Sequence, residues 1–231
     1  MSENKTEKSG GIVLVPTPIG NLGDITLRAL EVLRNADRIA CEDTRRSGVL
    51  LAHHGITGKS LVSLHEHNEL RKAPELVTAA KAGEVIAFIS DAGMPGISDP
   101  GYRLVQSCIE MEVPLEVLPG PSAVLTALIG SGLPCHAFRF GGFLSVKSGK
   151  RRTAMSTALE SGETGIFFES PHRILSTLEI LQDIDPNAKV CVARELTKKF
   201  ETYHRGTPAE ILEWFKTHSV KGEMVILMNK G

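Results

Sequence analysis

Short apolar runs alternate with longer amphipathic stretches along most of the chain. In the first half, the apolar runs stand at 12–15, 38–41, 61–64, 85–90 and 115–118. Each run has the length of a strand, and the stretches between them show the apolar spacing of helices. Buried strands that alternate with helices indicate an α/β domain with a mainly parallel sheet.

Two helices of the first half have recognisable starts. One is predicted from about Ile25 to Ala36, with Asp24 as the residue that caps its N-terminus. Another is predicted near Tyr102–Glu112, with Asp99 as N-cap and Pro100 at the first helical position. Both starts place a carboxylate where free backbone N–H groups need an acceptor.

The second half repeats the alternation with different details. Strands are predicted at 165–168, 189–193, 200–205 and 224–228, the third pairing back antiparallel and the last closing the sheet. Helices are predicted to begin at 121–122 and 170–171 and to span about 150–161. A further helix begins at Thr207, which forms a capping box with Glu210 and is followed by proline.

A proline- and glycine-rich junction at 119–121 separates the two halves. We therefore predict a disordered tail at residues 1–10, an N-terminal α/β domain at 11–119 and a C-terminal α/β domain at 120–231.

Composition places the chain among ordinary globular proteins. Its 231 residues are 42% hydrophobic and 23% charged, which excludes global disorder and a collagen-like repeat. The apolar runs are too short for a transmembrane helix, and the polar N-terminus lacks a signal-peptide core. We therefore expect a cytoplasmic protein with no membrane partner. The four cysteines stand far apart without a C-x-x-C pair, which argues against a zinc site and a disulfide scaffold.

The formal net charge of -1 hides an uneven distribution. Residues 1–120 carry 12 basic and 16 acidic side chains, whereas residues 121–231 carry 14 and 11. Basic clusters stand in the second half, at Lys147, Lys150, Arg151 and Arg152 and at Lys198 and Lys199. Such clusters are most often solvated faces, so the asymmetry alone leaves an anionic partner open.

Charged, glycine and proline residues follow seven predicted strands directly. In chain order the segments read PTPIGN, EDTR, HEHNE, SDAGMPGISDPG, PGPS, ESPHR and RELT. Parallel α/β sheets bind ligands beyond the carboxyl ends of their strands, so we predict one lined cleft between two sheets.

The longest of these segments is the loop at 90–101. An irregular segment of this length in a compact domain is more often functional than a simple turn. Its glycines let the backbone approach a ligand closely, and Asp91 can accept hydrogen bonds from a ribose or an ammonium group.

Other kinds of site are disfavoured. His65 and His67 resemble a metal-binding pair, but they lack H-E-x-x-H spacing and a supporting cysteine, so no metal is expected. Residues 53–60 end like a phosphate-binding P-loop, but His53 replaces the first glycine. No G-x-G-x-x-G follows the first strand, which disfavours dinucleotide-binding folds and the methyltransferases built on that fingerprint.

Several strings together resemble the ribosomal RNA small subunit methyltransferase I family: VPTPIGNLGDITLRAL, CEDTR, LHEHNE, SDAGMPGISDPGYRLV, LPGPSA, ESPHR, ARELTKKFE and GEMV. The resemblance runs from about Gly11 to Met228. It implies S-adenosylmethionine-dependent 2′-O-methylation of a cytidine ribose in the decoding region of small-subunit ribosomal RNA. It also implies two tetrapyrrole-methylase-type α/β domains with the donor between them, a homodimer, and the 30S subunit or its RNA as partner.

The resemblance assigns the donor site to residues in both halves of the chain. The cofactor-binding positions are Pro18, Ile19, Gly20, Asp91, Gly93, Met94, Pro121, Ser122, Phe168, Ala193, Arg194, Gly222, Glu223 and Met224.

A ribose hydroxyl is a weak nucleophile, so a general base would accelerate the transfer by roughly 10²–10⁴. The predicted catalytic residues are Asp43, His65 and Glu66, with Glu169 and His172 as further acid–base candidates. Arg45, Arg173 and Arg194 are predicted to hold phosphates. The complete predicted substrate-binding set is Arg45, Lys150, Arg151, Arg152, Glu169, His172 and Arg173.

Two rival functions fit parts of the sequence. A methylase of small tetrapyrroles would share fold and donor, but it would need a broad apolar cleft rather than one lined with charged residues. A non-catalytic RNA-binding factor for ribosome assembly would not need the loop at 90–101.

Overall fold

The computed structural model describes residues 10–230 as two compact units, one ending at Ser122 and the other beginning at Ala123. Residues 1–9 of the predicted tail lie outside the described residues. Gly10, the last residue of that predicted tail, is buried, and a β-carbon there would lie 2.1 Å from the Ala80 carbonyl oxygen.

The first unit is built on a five-stranded parallel sheet with the order β3-β2-β4-β1-β5. Its strands are β1 (Gly11–Leu14), β2 (Arg38–Cys41), β3 (Ser60–Ser63), β4 (Val85–Ile89) and β5 (Leu115–Val117). Its helices are α1 (Leu27–Asn35), α2 (Thr44–His53), α3 (Glu69–Lys81) and α4 (Tyr102–Glu110), with a short 3₁₀ helix at Leu22–Asp24.

Both faces of this sheet are covered. Val13, Ile39 and Ile89 pack on one face with the buried side of α1 and α2, while Ile12 and Phe88 pack on the other with α3 and α4. Neighbouring strand residues thus enter different cores, which explains why the strands read as continuous apolar runs. The predicted α/β class is confirmed.

The second unit contains a mixed five-stranded sheet with the order β6-β7-β10-β8-β9. Its strands are β6 (Phe138–Phe143), β7 (Thr164–Glu169), β8 (Lys189–Arg194), β9 (Thr202–Gly206) and β10 (Met224–Asn229). Its helices are α5 (Ala123–Ser131), α6 (Ser148–Glu160), α7 (Ile174–Ile184) and α8 (Pro208–Thr217). The capping box of Thr207 and Glu210 is confirmed, as is the antiparallel pairing of β9 with β8.

Some predicted helix starts are wrong. The hydroxyl of Thr26, not Asp24, accepts the Ala29 N–H at 3.0 Å, because Asp24 belongs to the preceding 3₁₀ helix. Helix α4 begins after Gly101 rather than at Pro100. Likewise, α5 begins at Ala123 rather than at 121–122. Helix α7 begins at Ile174 rather than at 170–171, because residues 170–173 form a turn.

Two predictions for the second sheet also need correction. The strand at Met224–Asn229 does not close the sheet; it lies in the middle, antiparallel to both β7 and β8. One edge of the sheet is formed by β6, which pairs in parallel with β7 and which the sequence pattern does not predict; β9 forms the other edge.

Within residues 10–230, no helix is both long enough and apolar enough to cross a lipid bilayer.

Candidate functional site

The carboxyl ends of the five parallel strands bring five loops to one edge of the first sheet. These loops, which we call the first rim, comprise residues 15–21, 42–43, 64–68, 90–101 and 118–122. All the sequence-predicted site residues of the first unit lie in the first rim except Arg45, which lies in the first turn of α2.

A backbone bridge ties the loop after β1 to the long loop after β4. The Thr17 N–H donates to the Gly93 carbonyl at 2.9 Å, and the Gly93 N–H donates to the Thr17 carbonyl at 3.0 Å. Gly93 has φ +78°, and a β-carbon there would lie 3.3 Å from Ile19 Cγ2 and 3.7 Å from the Pro121 carbonyl oxygen. Three of the predicted donor-binding residues, Ile19, Gly93 and Pro121, therefore lie together.

Asp43 and Asp91 are joined through the start of α2. The Asp43 carboxylate accepts from the Arg45 backbone N–H at 2.8 Å and from the Arg45 guanidinium, Nη2 to Oδ2, at 2.8 Å. Asp91 accepts the Asp43 N–H at 3.1 Å and lies 3.3 Å from Nη1 of Arg46. Hydrogen bonds from Arg45 hold the pKa of Asp43 far below its ordinary value, so this carboxylate is a weak base.

Three carboxyl groups, those of Glu42, Asp91 and Asp99, interact electrostatically at the first rim. Burial, followed by repulsion from Glu42 and Asp91, raises the pKa of Asp99 to about 6. Burial and the charge of Asp91 also raise the pKa of Glu42. Ser98, directly before Asp99, has φ +60°, a strained conformation for a residue with a side chain.

A buried carboxylate from α3 anchors the far end of the long loop. Oε1 of Glu69, a residue that is 7% exposed, accepts backbone N–H groups from Gly101 at 2.8 Å, Arg103 at 3.0 Å and Leu104 at 3.4 Å. Glu69 therefore caps α4, the role predicted for Asp99. A contact between residues this far apart in the chain leaves no local sequence signal.

The HEHNE segment forms a tight turn at the first rim. Oδ1 of Asn68 accepts the His65 N–H at 2.9 Å, and the Asn68 amide donates to the Ser63 carbonyl at 3.1 Å. The rings of His65 and His67 meet edge to face at 5.9 Å between centroids. Glu66 is exposed.

Strand register gathers the predicted residues of the second unit at one end of its sheet. Met224 pairs with Glu169 on one side and with Arg194 on the other. Phe168 stacks edge to face on two phenylalanines of β6, and Ala193 is fully buried. We call this end of the second sheet, with the residues that follow β7 and β8 and precede β10, the second rim.

Glu195 organises one part of the second rim. Its Oε1 accepts the Glu223 N–H at 2.9 Å and the Lys198 ammonium at 2.9 Å, and Lys198 also contacts Glu223 at 3.0 Å. Gly222 has φ +94°, and a β-carbon there would lie 2.5 Å from the Glu195 carboxyl carbon. The guanidinium of Arg194 donates to the Lys221 and Phe200 carbonyls. Glu223, Arg194 and Lys198 thus each bind other residues of the second rim.

Glu169 and Arg173 form a second, buried network. The Glu169 side chain is 0% exposed; its Oε1 lies 2.8 Å from Arg173 Nη2, and its Oε2 accepts the Thr177 hydroxyl at 2.6 Å. The Ser170 N–H also donates to Oε1. Glu169 thus lacks the exposure that a substrate contact needs, and Arg173 is committed to it, whereas His172 is exposed.

The three basic residues at 150–152 lie in different environments. Lys150 is exposed, and Arg152 pairs with Asp183 at 2.9 Å. Arg151 is only 5% exposed, so it is not part of the solvated face that its neighbours form.

The sequence profile of the family described as Tetrapyrrole (Corrin/Porphyrin) Methylases matches residues 11–212. A Hydrogenobaculum protein named Ribosomal RNA small subunit methyltransferase I is 46% identical over 222 residues, covering 95% of this chain and 95% of that protein. A Vibrio cholerae protein of the same name is 49% identical over 234 residues, covering 99% of this chain and 81% of its own length.

Solved structures share the fold at low sequence identity. A diphthine synthase superposes with a TM-score of 0.73 at 15% identity, covering 94% of this chain and 89% of that one. A uroporphyrin-III C-methyl transferase from Thermus thermophilus, complexed with S-adenyl homocysteine, superposes with a TM-score of 0.65 at 19% identity, covering 94% and 97%.

Proposed function

This chain belongs to the ribosomal RNA small subunit methyltransferase I family, within the tetrapyrrole methylases, and on that premise we propose its reaction. It transfers a methyl group from S-adenosylmethionine to small-subunit ribosomal RNA, at the ribose 2′-hydroxyl of a cytidine in the decoding region. The observation that carries the proposal is the joining of Thr17, Gly93, Asp91 and Asp43 at the first rim.

The first rim suits the methyl donor, whose sulfonium supplies an already activated methyl group. Gly93 lets the Thr17–Gly93 bridge pack closely against Ile19 and Pro121, and we propose that a flat ligand lies against this stretch of backbone. Asp91 is positioned to accept hydrogen bonds from ribose hydroxyls or an ammonium group. Positions Phe168, Ala193, Arg194, Gly222, Glu223 and Met224 of the second rim stay predictions for the same ligand.

The chain's own residues must then orient the acceptor oxygen and receive its proton. Orientation of two reactants can supply several kcal/mol, up to about 7–11 in favourable intramolecular reactions. Among the predicted bases, Asp43 is held ionised by Arg45, whereas His65 lies in the ordered HEHNE turn and Glu66 is exposed. The raised pKa of Asp99 makes it a stronger proton acceptor than Asp43.

Cations near the two rims supply contacts for the RNA. Arg45 has a side chain that is 88% exposed although it pairs with Asp43, and Lys150 and His172 are exposed in the second unit. Sequence-specific RNA recognition uses unstacked nucleotides, so we expect the target cytidine to enter splayed from its neighbours.

Gly93→Ala is expected to weaken donor binding about tenfold and to destabilise the first unit by about 1–2 kcal/mol. A β-carbon at φ +78° is strained, and it would also press on Ile19. Isothermal titration with S-adenosylmethionine and denaturant unfolding measure the two effects. Gly55→Ala is the matched control, because Gly55 has φ +66° but open space around it; unfolding should shift while donor affinity holds. Equal donor affinity for wild type and Gly93→Ala would contradict this placement.

The function itself is tested by incubating the protein with methyl-labelled S-adenosylmethionine and either 30S subunits, naked small-subunit RNA or a tetrapyrrole. We expect label on a cytidine ribose of the RNA. Label on the tetrapyrrole alone would favour a small-molecule methylase, and RNA binding without transfer would favour an assembly factor. A homodimer acting in the cytoplasm is the remaining expectation from the family, and sedimentation equilibrium tests the dimer.

A further inference from the structure

Arg151 is a buried cation in the first turn of α6, with 5% of its surface exposed. Its Nη2 donates to the Ser176 hydroxyl at 3.2 Å. Its Nε and Nη1 are shielded from solvent and have no hydrogen-bond acceptor within residues 10–230. Buried polar groups normally have partners, and an uncompensated buried charge is costly, so this arrangement calls for an anion.

The second unit offers Arg151 no carboxylate. Within residues 123–230, Glu169 is the only acidic residue that is buried. Its oxygens are engaged by Arg173, the Thr177 hydroxyl and the Ser170 N–H. Arg173 therefore already compensates Glu169, which leaves Arg151 without a carboxylate partner among residues 123–230, and the exposed residues Lys147 and Lys150 add further positive charge nearby.

Two helix N-termini meet at this arginine. Ser176 lies in the first turn of α7, so its contact with Arg151 joins the first turns of α6 and α7. The N-cap residues Lys147 and Arg173 make no side-chain capping hydrogen bond. Helix N-termini carry partial positive charge and free N–H groups, and both features attract anions.

We propose that Arg151 and the first turns of α6 and α7 bind a phosphate group, and that this is a backbone phosphate of the RNA substrate. The RNA part of the inference rests on the proposed function. A guanidinium offers phosphate a planar set of donors, which favours paired hydrogen bonds. Since Nε and Nη1 are shielded in this structure, phosphate binding requires a local rearrangement that exposes them.

Arg151→Met tests the RNA contact, with binding to purified 30S subunits measured over a range of salt concentrations. We expect the Kd to rise about tenfold or more, as for the loss of a charge-assisted hydrogen bond. The slope of log Kd against log salt should fall by about 0.7–0.9, the value for one lost phosphate contact. Arg139→Met is the matched control, because Arg139 is exposed and pairs with Glu163 at 3.6 Å; its Kd and slope should stay at wild-type values.

Thermal unfolding separates an anion site from a structural arginine. Without RNA, Arg151→Met should melt at or above the wild-type temperature, since an apolar side chain replaces an uncompensated buried charge. Inorganic phosphate should raise the melting temperature of the wild type but not that of Arg151→Met. An arginine with a purely structural role predicts the opposite: a lower melting temperature and unchanged affinity for 30S subunits per folded molecule.

The outcomes distinguish failure of this inference from failure of the proposed function. If the wild type methylates no 30S RNA, the proposed function is wrong. The melting experiment with inorganic phosphate then decides on its own whether Arg151 binds phosphate. If the wild type methylates the RNA but Arg151→Met keeps the same Kd and salt slope, the RNA contact is overturned. Phosphate stabilisation with unchanged RNA affinity would show a site for free phosphate only, which also overturns it.

Discussion

Glu69→Ala is expected to lower the free energy of unfolding of the first unit by about 3–5 kcal/mol, because it removes a buried acceptor shared by three backbone N–H groups. Those N–H groups belong to the end of the 90–101 loop and the first turn of α4. Donor affinity should fall as well, since the loop loses its anchor at Gly101. Denaturant unfolding and titration with S-adenosylmethionine measure the two effects.

Two comparison variants sharpen this prediction. Glu69→Gln retains an acceptor oxygen, so it should cost less than half as much as alanine. Glu75→Ala, on the exposed side of the same helix, removes only surface ion pairs with Arg71 and Lys72 and should cost under about 1 kcal/mol. If Glu69→Ala and Glu75→Ala prove equally mild, the anchoring role is wrong.

The sequence predicts the first unit well because its three central strands, β1, β2 and β4, are buried on both faces. A strand such as β4 has no polar alternation, so it stands out as an apolar run between helical patterns. The edge strand β6, in contrast, reads FRFGGF and is largely exposed. Its Gly141 lies against the ring of Phe167, where a β-carbon would approach to 2.2 Å, and nothing local signals that contact.

Helix caps are harder to predict from sequence where the acceptor comes from another element. Thr207 and Glu210 cap their own helix through residues three apart, and their pattern is visible in the sequence. The cap of α4 is Glu69, which the sequence places on a different helix. Asp99 fits the sequence pattern of a cap because it precedes a proline, whereas in the structure its carboxyl group interacts electrostatically with Glu42 and Asp91.

The burial of Arg151 can be predicted from its position in the helical repeat of α6. Read as part of a basic run, it belongs to a solvated face. Read at helical spacing, it precedes Met155 and Ala158 on the buried stripe of α6. Helical spacing therefore distinguishes the buried Arg151 from its exposed neighbours Lys150 and Arg152. Only the structure shows that Arg173 and Thr177 already bind the Glu169 carboxylate.

Asp99→Asn is expected to slow methyl transfer by about 10²–10⁴ at neutral pH while donor affinity is retained, because the amide cannot accept the proton of the ribose hydroxyl. In the wild type, the single-turnover rate should rise with pH and level off above about 6, as the carboxyl group whose pKa is raised to about 6 loses its proton. The single-turnover rate of Asp99→Asn should not show this rise with pH. Rapid-quench measurements with saturating donor and 30S subunits follow the transfer itself.

Although Asp99→Asn should slow methyl transfer, it should raise the stability of the protein at neutral pH. Folding raises the pKa of Asp99 from 3.8 to about 6, so the folded state favours the protonated acid and loses stability as pH rises through about 6. Asp99→Asn should therefore be more stable than the wild type at neutral pH, by about 1 kcal/mol after solvent screening, and equal to it below about pH 4. Glu110→Gln, exposed at the end of α4, should change neither quantity. A stabilised Asp99→Asn variant with wild-type turnover would remove Asp99 from the chemistry and return the search for a base to His65 and Glu66.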